Sequence, residues 1–178
     1  MDWATQATPF RRYRGARQIE LERLSPGAQP AYDLAFSAGH LSPEPLNRES
    51  VSQLFFDSLA LSAWKQAGDV TWSLRVNPSS GNLHPTEGYL VCGPINSLTS
   101  KPMVAHYAPR EHALEVRAEF PLATWQSLTH DLPVDVMLVG LSSIHWREAW
   151  KYGERAFRYC QHDVGHAIAA ISLAAAGL

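Results

Sequence analysis

The chain has 178 residues, of which 46% are hydrophobic and 18% charged, a composition typical of one globular domain. Fifteen Lys and Arg against seventeen Asp and Glu give a formal net charge of -2, so no overall field favours nucleic acid or an anionic membrane. Two cysteines cannot form a disulfide framework, and no apolar leader opens the chain, so we expect a cytoplasmic protein. The last apolar stretch, residues 164–178, is too short to span a bilayer.

Residues 1–47 contain five prolines and several glycines, which predicts an extended N-terminal arm with little regular helix. The folded domain is predicted to span residues 48–178. Asn47 is placed to cap a helix, with Ser50 three residues later, and apolar residues recur at helical spacing through Lys65. These apolar residues are Val51, Leu54, Phe55, Leu59, Leu61 and Trp64.

The middle of the chain has the patterns of short strands. Residues 71–76 alternate weakly and residues 87–91 contain Tyr and branched side chains. They flank a turn-rich loop, which we place between a helix and a strand. Residues 103–107 and 113–117 flank a turn that contains Pro109, which predicts a hairpin at an edge of the sheet.

The C-terminal part is predicted to contain a strand and helices. Residues 122–129 predict a short helix, and the unbroken apolar run 134–141 predicts a central strand that is covered on both faces. Ser142 or Ser143 is expected to cap the next helix, and a last helix is predicted over residues 161–176. The first of these helices contains Trp146, Trp150 and Phe157, and the apolar face of the second contains Val164, Ile168, Ile171 and Ala175.

The last predicted helix is so apolar that it needs a cover, and it ends at a typical capping glycine, Gly177. We therefore expect that the sequence is a fragment, or one half, of a longer chain. With Ile168 and Ile171 uncovered, the chain alone is expected to form a dimer or to aggregate.

Residues 75–87 (RVNPSSGNLHPTE) are the most informative segment. Two prolines make the loop rigid, Gly81 allows another group to approach the backbone, and Ser and Asn side chains supply donors and acceptors. Such a loop is able to border a planar heteroaromatic ring, with Arg75 beside its electron-rich edge. The alternative is that the Ser and Asn side chains only close turns and cap neighbouring elements. The residues alone leave both interpretations open.

The segment PSSGNLHPTE at 78–87 resembles the flavin-contacting loop of the nitroreductase superfamily, and its His-Pro and Glu are similar to SagB-type dehydrogenases and long tandem nitroreductase proteins. Three further stretches occur in the same order as in that family: DW with PFRRY near the N-terminus, LSAWK at 61–65, and YGERAFRY at 152–159 with DVGH at 163–166. The resemblance covers nearly the whole chain.

The resemblance implies an α+β, nitroreductase-like fold, with a central, mostly antiparallel sheet flanked by helices and incomplete in this chain. It also implies FMN at the interface of a homodimer or of two nitroreductase-like halves, with hydride transfer through flavin N5. The implied redox partner is NAD(P)H or a small-molecule or peptide-derived substrate such as an azoline ring. The implied flavin-contacting residues are Arg75, Pro78, Ser79, Ser80 and Asn82, with Gly81 and His84 adjacent.

The chain departs from the family pattern at the FMN phosphate. The family uses an N-terminal Arg-x-Ser-x-Arg motif, whereas the nearest segment here, residues 11–14, is Arg-Arg-Tyr-Arg. Arg11 or Arg12 is the candidate phosphate ligand, and the family's C-terminal basic residue would fall after Leu178. The alternative is therefore a catalytically silent half-domain that acts as the structural partner of an active nitroreductase-like half.

Three other groups of residues have simpler interpretations. His162 and His166 lie four apart near Cys160, but further ligands lack an obvious source, so we expect no metal site. A basic cluster is expected to form a solvated helix face, although it is also able to meet a flavin phosphate; it consists of Lys151, Arg155 and Arg158. Four tryptophans are expected to lie in the core rather than to bind substrate; they are Trp64, Trp125, Trp146 and Trp150.

Overall fold

The structure is a computed structural model that describes residues 2–23, 31–37, 39 and 41–178. The predictions for 24–30, 38 and 40 lie outside these residues. The strands are β1 (Gln18–Glu20), β2 (Leu61–Ala67), β3 (Val70–Arg75), β4 (Thr86–Cys92), β5 (Met103–Ala108), β6 (Ala113–Glu119) and β7 (Met137–Ser143). The helices are α1 (Arg48–Leu59), α2 (Leu122–Leu128), α3 (His145–Tyr152) and α4 (Ala156–Ala176), and four short 3₁₀ turns are Trp3–Thr5, Tyr32–Phe36, Ser80–Asn82 and Gly153–Arg155.

Five strands form one sheet in the order β1-β6-β5-β4-β7, and every neighbouring pair is antiparallel. Helices α1 and α4 pack against each other, and α4 also contacts β4 and β7. In the core, the ring of Phe55 on α1 stacks on Tyr107 of β5 with 4.7 Å between ring centroids. The predicted architecture, a central antiparallel sheet flanked by helices, is therefore confirmed.

The capped start of α1 is confirmed, but its predicted end is wrong. Asn47 accepts a hydrogen bond from the Ser50 amide at 2.9 Å, while the Ser50 hydroxyl accepts one from the Asn47 amide at 3.0 Å. The helix stops at Leu59 instead of continuing to Lys65, because residues 61–67 pair with β3 through a tight turn at residues 68–69. Backbone pairing with β3 thus overrides the helical spacing of the apolar residues.

The β2–β3 hairpin stands apart from the main sheet, and β2 is almost wholly exposed. Trp64 in β2 is 53% exposed, and Trp146 in α3 is 56% exposed. The expectation that these two tryptophans lie in the core is wrong, whereas Trp125 on α2 is buried as expected.

Two strand positions differ from the predictions. The hairpin of β5 and β6 forms as predicted, but β5 is the middle strand of the sheet, with buried side chains that include Met103 and Ala105. The apolar run 134–141 gives β7, which starts at Met137, pairs with β4 alone among the described residues and is only half-buried. Strand order depends on pairings between distant segments, which local hydrophobicity does not specify.

The helices after β7 also differ from the predictions. Ser142 and Ser143 belong to β7 and do not cap α3. Gly153, with a positive φ of 56°, ends α3, so Phe157 lies in α4, which begins five residues earlier than predicted. The predicted apolar face is displaced, since Ile168 is 53% exposed, and the residues of α4 that are buried are Ala156, Cys160, Asp163 and Ala167.

Strand β1 joins residues 1–47 to the sheet by pairing with β6. The boundary between arm and domain at residue 47 stays a prediction. Within the described residues, no helix has the length and apolar character required to cross a membrane.

Candidate functional site

The predicted flavin loop joins β3 to β4, so its predicted place between a helix and a strand is wrong. A short 3₁₀ turn, Ser80–Asn82, forms its tip. Gly81, Asn82 and His84 all have positive φ, with values of 64°, 59° and 49°. Asn82 and His84 are L-residues in a sparsely populated region, and such backbone conformations cluster at functional sites.

Asp163 on α4 holds the tip of this loop. Its carboxylate accepts hydrogen bonds from the Ser79 hydroxyl at 2.8 Å, from the Ser80 amide at 3.1 Å and from the Ser80 hydroxyl at 3.2 Å. The Ser79 hydroxyl in turn accepts a bond from the His84 amide at 2.8 Å. Both serine side chains therefore point towards α4.

Asn82 and His84 bind each other and the neighbouring strand. The Asn82 side-chain amide donates to the Ser73 carbonyl at 3.0 Å, and the Asn82 carbonyl oxygen lies 2.8 Å from His84 Nε2. Because that oxygen only accepts, His84 carries its proton on Nε2. Burial, followed by the charge of Arg75, lowers the pKa of His84 to about 3, so the ring is neutral at physiological pH.

Arg75 is an interior anchor in this structure. Its guanidinium donates to the Thr86 carbonyl at 3.2 Å and to the Pro9 carbonyl at 2.6 Å. Burial lowers its pKa to about 10, which still leaves the group charged. Arg75 thus joins the N-terminal segment to β4. Both of these hydrogen bonds are made to backbone carbonyls of the chain.

A chain of buried charged groups lies beneath the loop. Glu87 Oε1 binds Arg147 Nη1 at 2.5 Å, and that nitrogen also donates to the His84 carbonyl at 2.6 Å. Glu87 Oε2 lies 2.7 Å from His106 Nε2, and His106 Nδ1 lies 3.0 Å from Glu115 Oε2. Each ring nitrogen of His106 thus lies within hydrogen-bond distance of a buried carboxyl group. We call these four residues, Glu87, His106, Glu115 and Arg147, the buried charge chain.

The candidate phosphate ligands are close to this chain. Arg12 Nε donates to Glu115 at 2.7 Å, and another nitrogen of the same guanidinium binds Glu111. Arg11 donates to the Tyr13 hydroxyl at 3.2 Å, which lies 3.0 Å from the hydroxyl of Tyr89. Arg12 therefore neutralises protein carboxylates, and phosphate binding by Arg11 or Arg12 stays a prediction.

Sequence reasoning missed the residues that support the loop. Glu87 and Asp163 lie within the quoted motifs, but their partners His106, Glu115 and Arg147 gave no local signal. His106 and Glu115 face each other only because β5 and β6 pair in this register.

The loop residues do not by themselves fit a flavin site. The polar side chains of the predicted contacts, Arg75, Ser79, Ser80, Asn82 and His84, all bond within the chain. Pro78 and Gly81 are exposed, but a Cβ at Gly81 would lie 2.6 Å from the Tyr152 hydroxyl and 2.9 Å from Lys151 Nζ. The close approach that Gly81 permits is therefore made by α3.

The structure also describes the other groups singled out in the sequence. Among the residues that the structure describes, no cluster of three or more His, Cys, Asp or Glu side chains is arranged to hold a metal ion. Arg155 and Arg158 are exposed, while Lys151 lies by the Tyr152 ring. Burial raises the pKa of the Cys160 thiol, as do the charges of Glu148 and Asp163, so this thiol is not activated.

Comparison with known proteins identifies similar structures. No family model matches the chain, and no curated protein matches it. A protein from Anabaena variabilis classed as a nitroreductase is 26% identical with a TM-score of 0.72, and the match covers 97% of this chain and 34% of that one. A protein from Ralstonia eutropha classed in the same way is 15% identical with a TM-score of 0.63, covering 93% of this chain and 74% of that one.

The third similar structure is the Escherichia coli microcin synthetase complex McbBCD with truncated pro-MccB17 bound. The identity is 18% and the TM-score 0.58, with 85% of this chain and 60% of that chain covered. Of the similar proteins, the one from Anabaena is much longer than this chain, which spans about a third of its length. The chain has a nitroreductase-like fold, and these likenesses support its placement in the nitroreductase-like superfamily.

Proposed function

We propose that this chain is part of an FMN-dependent oxidoreductase of the nitroreductase kind, related to SagB-type dehydrogenases. The observation that carries the proposal is the fold, since the similar proteins support an oxidoreductase-type function. The loop resemblance adds the cofactor, and FMN would supply the hydride transfer. Because the described loop residues do not complete a flavin site, we further propose that a second copy or a second nitroreductase-like half contributes the rest.

In this proposal the chain's own residues shape one wall of the site. Asp163 fixes the tip of the loop, and Arg147 binds the carbonyl of His84 from below. His84 is neutral and Arg75 is charged at physiological pH, so neither side chain of the loop changes its charge near neutrality. The proposed redox partner is NAD(P)H or a peptide-derived substrate, and the E. coli complex similar in fold has a truncated pro-peptide bound.

The second candidate is a catalytically silent half-domain that supports an active half. The engagement of the loop side chains inside the chain favours it, as does the approach of Tyr152 to Gly81. A surface for such a partner is available on α4, where Ile168 is 53% exposed and Leu173 is 50% exposed. For both candidate functions, we propose that the chain is located in the cytoplasm.

Titration of the purified chain with FMN, followed by addition of NADH or NADPH, separates the two candidates. We expect FMN to bind and to be bleached by a donor, and Ser80→Ala to weaken binding by about tenfold through loss of a loop hydrogen bond. Ser100→Ala is the control, because Ser100 is exposed and lies outside the loop. Light scattering in parallel gives the oligomeric state at each concentration. A chain that dimerises and binds no FMN would support the silent half-domain instead.

A further inference from the structure

A cavity of about 670 Å³ lies where β4 ends, at the opposite end of this strand from the loop that joins β3 to β4. Its walls come mainly from residues 93–96, from helix α2 and from residues 129–136, which lead into β7. Cavities that bind small organic molecules commonly have volumes of about 300–1,000 Å³. The size of this cavity therefore fits a small ligand.

Trp125 on α2 forms part of the wall and carries an unpaired hydrogen-bond donor. The residue is only 8% exposed, yet among the described residues its indole N–H has no hydrogen-bond partner. By contrast, the indole nitrogen of Trp150 donates to the Asp2 carbonyl and to the Thr5 hydroxyl, both at 3.1 Å. A buried indole N–H normally has a partner, because an unsatisfied buried donor is unfavourable. The N–H of Trp125 is therefore available to a bound molecule.

Gly93 shows where this donor lies. The glycine directly follows β4 and lines the cavity. A Cβ atom at this position would lie 2.4 Å from Trp125 Nε1 and 2.7 Å from Trp125 Cδ1, which is closer than such atoms approach. The N–H edge of the indole is therefore in contact with the backbone at Gly93, at the wall of the cavity.

The remaining wall indicates the chemistry of the ligand. No Lys or Arg is among the described residues that line the cavity, so no permanent positive charge is available to hold an anion, and Asp135 adds a carboxylate. Val134 is 90% exposed and Leu122 is 48% exposed, so apolar wall is accessible from solution. The aliphatic side chains that line the cavity are Leu46, Ile95, Leu122, Leu132, Val134 and Val136.

We propose that this cavity binds a small, uncharged aromatic molecule that carries a carbonyl oxygen, with the indole N–H of Trp125 as the donor to that oxygen. The aliphatic side chains and the indole bury the aromatic ring, which is favourable because apolar surface leaves water. The carboxylate of Asp135 and the lack of a lining cation disfavour an anionic ligand. The proposal goes beyond flavin chemistry, since the cavity and the loop lie at opposite ends of β4.

The indole N–H signal of Trp125, identified by triple-resonance assignment of the full chain, reports on the cavity directly. Acetophenone is the probe, because it is an uncharged aromatic ketone. Ethylbenzene has nearly the same shape without an acceptor, and benzoate adds a negative charge. We expect acetophenone to shift the Trp125 signal until the site is saturated and to bind about tenfold more tightly than ethylbenzene, the effect of one buried hydrogen bond. Benzoate should bind more weakly than acetophenone.

Leu122→Ser removes an aliphatic part of the wall and should weaken acetophenone binding by about fivefold, because less apolar surface is buried. Leu128→Ser is the matched control, since Leu128 is on the same helix, is 55% exposed and does not line the cavity. It should leave the affinity unchanged. Both positions are about half exposed, so both variants are expected to fold.

The proposed site is overturned if acetophenone gives no saturable shift of the Trp125 signal, or if the two variants lose affinity equally. Equal affinity for acetophenone and ethylbenzene would overturn the role of the indole N–H. Tighter binding of benzoate than of acetophenone would overturn the uncharged ligand. The measurements contain no FMN, so their failure is distinct from a failure of the chain to bind flavin.

Discussion

Glu87 and Glu148 are both buried glutamates, yet they behave in opposite ways. Burial by itself raises the pKa of Glu87, but the hydrogen bond from His106 and the charges of Arg75 and Arg147 outweigh it, so the pKa lies below its ordinary value. Among the described residues no donor bonds Glu148, and burial raises its pKa to about 7. The two residues therefore show that donors, and not burial alone, decide whether a buried carboxyl group is charged.

The difference also separates two kinds of buried carboxyl group. The buried charge chain joins β4, β5, β6 and α3 through paired groups, which suits a permanent part of the fold. Glu148 lies on α3, which packs against α4, and its oxygens have no hydrogen-bond partner among the described residues, which suits a group whose charge changes with pH.

The largest expected effect comes from breaking the paired group. Arg147→Met removes the donor to both Glu87 and the His84 carbonyl, which leaves the buried Glu87 carboxylate with His106 as its remaining hydrogen-bond partner and costs about 3–5 kcal/mol of folding free energy. Urea denaturation at neutral pH measures the loss. Arg158→Met is the control, because Arg158 is exposed on α4, and it should change stability by less than about 0.5 kcal/mol. An Arg147→Met protein as stable as this control would contradict a structural role for the buried charge chain.

A smaller effect of opposite sign is expected from the unpaired group. The pKa of Glu148 is raised in the folded state, so the folded protein keeps a proton that the unfolded chain loses as pH rises above its ordinary value near 4.5. Stability is therefore lost between that pH and about pH 7 and stays lower above it. Glu148→Gln should gain about 1–3 kcal/mol relative to wild type at about pH 8 compared with about pH 4. Paired denaturation curves at the two pH values test this, and a gain that is equal at both would contradict the assigned charge.

The smallest effect is expected at an exposed carboxylate. Glu119 binds Arg17 at 2.5 Å and Lys101 at 3.5 Å, but its side chain is 36% exposed. Glu119→Gln should destabilise the protein by less than about 1 kcal/mol, because water and salt screen the pairs. Thermal melting at low and high salt measures the difference, which should disappear at high salt. A loss as large as that of Arg147→Met would show that burial does not control these energies.

Local signals predicted part of the fold well. Asn47 and Ser50 lie three residues apart and form the capping box that their spacing indicates. The hairpin of β5 and β6 and the short helix α2 were predicted for the same reason, since each forms between residues close in sequence.

Contacts between residues far apart in the sequence explain the predictions that were wrong. Residues 61–65, predicted as helix, form part of a strand because residues 61–67 pair with β3. In the candidate site, Ser79 and Asp163 are 84 residues apart, and no spacing rule connects them. The family resemblance predicted that the loop contacts a flavin. Only the packing of α4 on the loop shows that its serine hydroxyls donate to Asp163.

The pairing of β1 with β6 has a consequence for synthesis on the ribosome. Gln18 lies opposite Glu115, so its partner is made about a hundred residues later, roughly 5–20 s at typical elongation rates. Arg12 waits equally long for Glu115, its partner in the buried charge chain. The N-terminal segment therefore cannot pair with the sheet until β6 has been made.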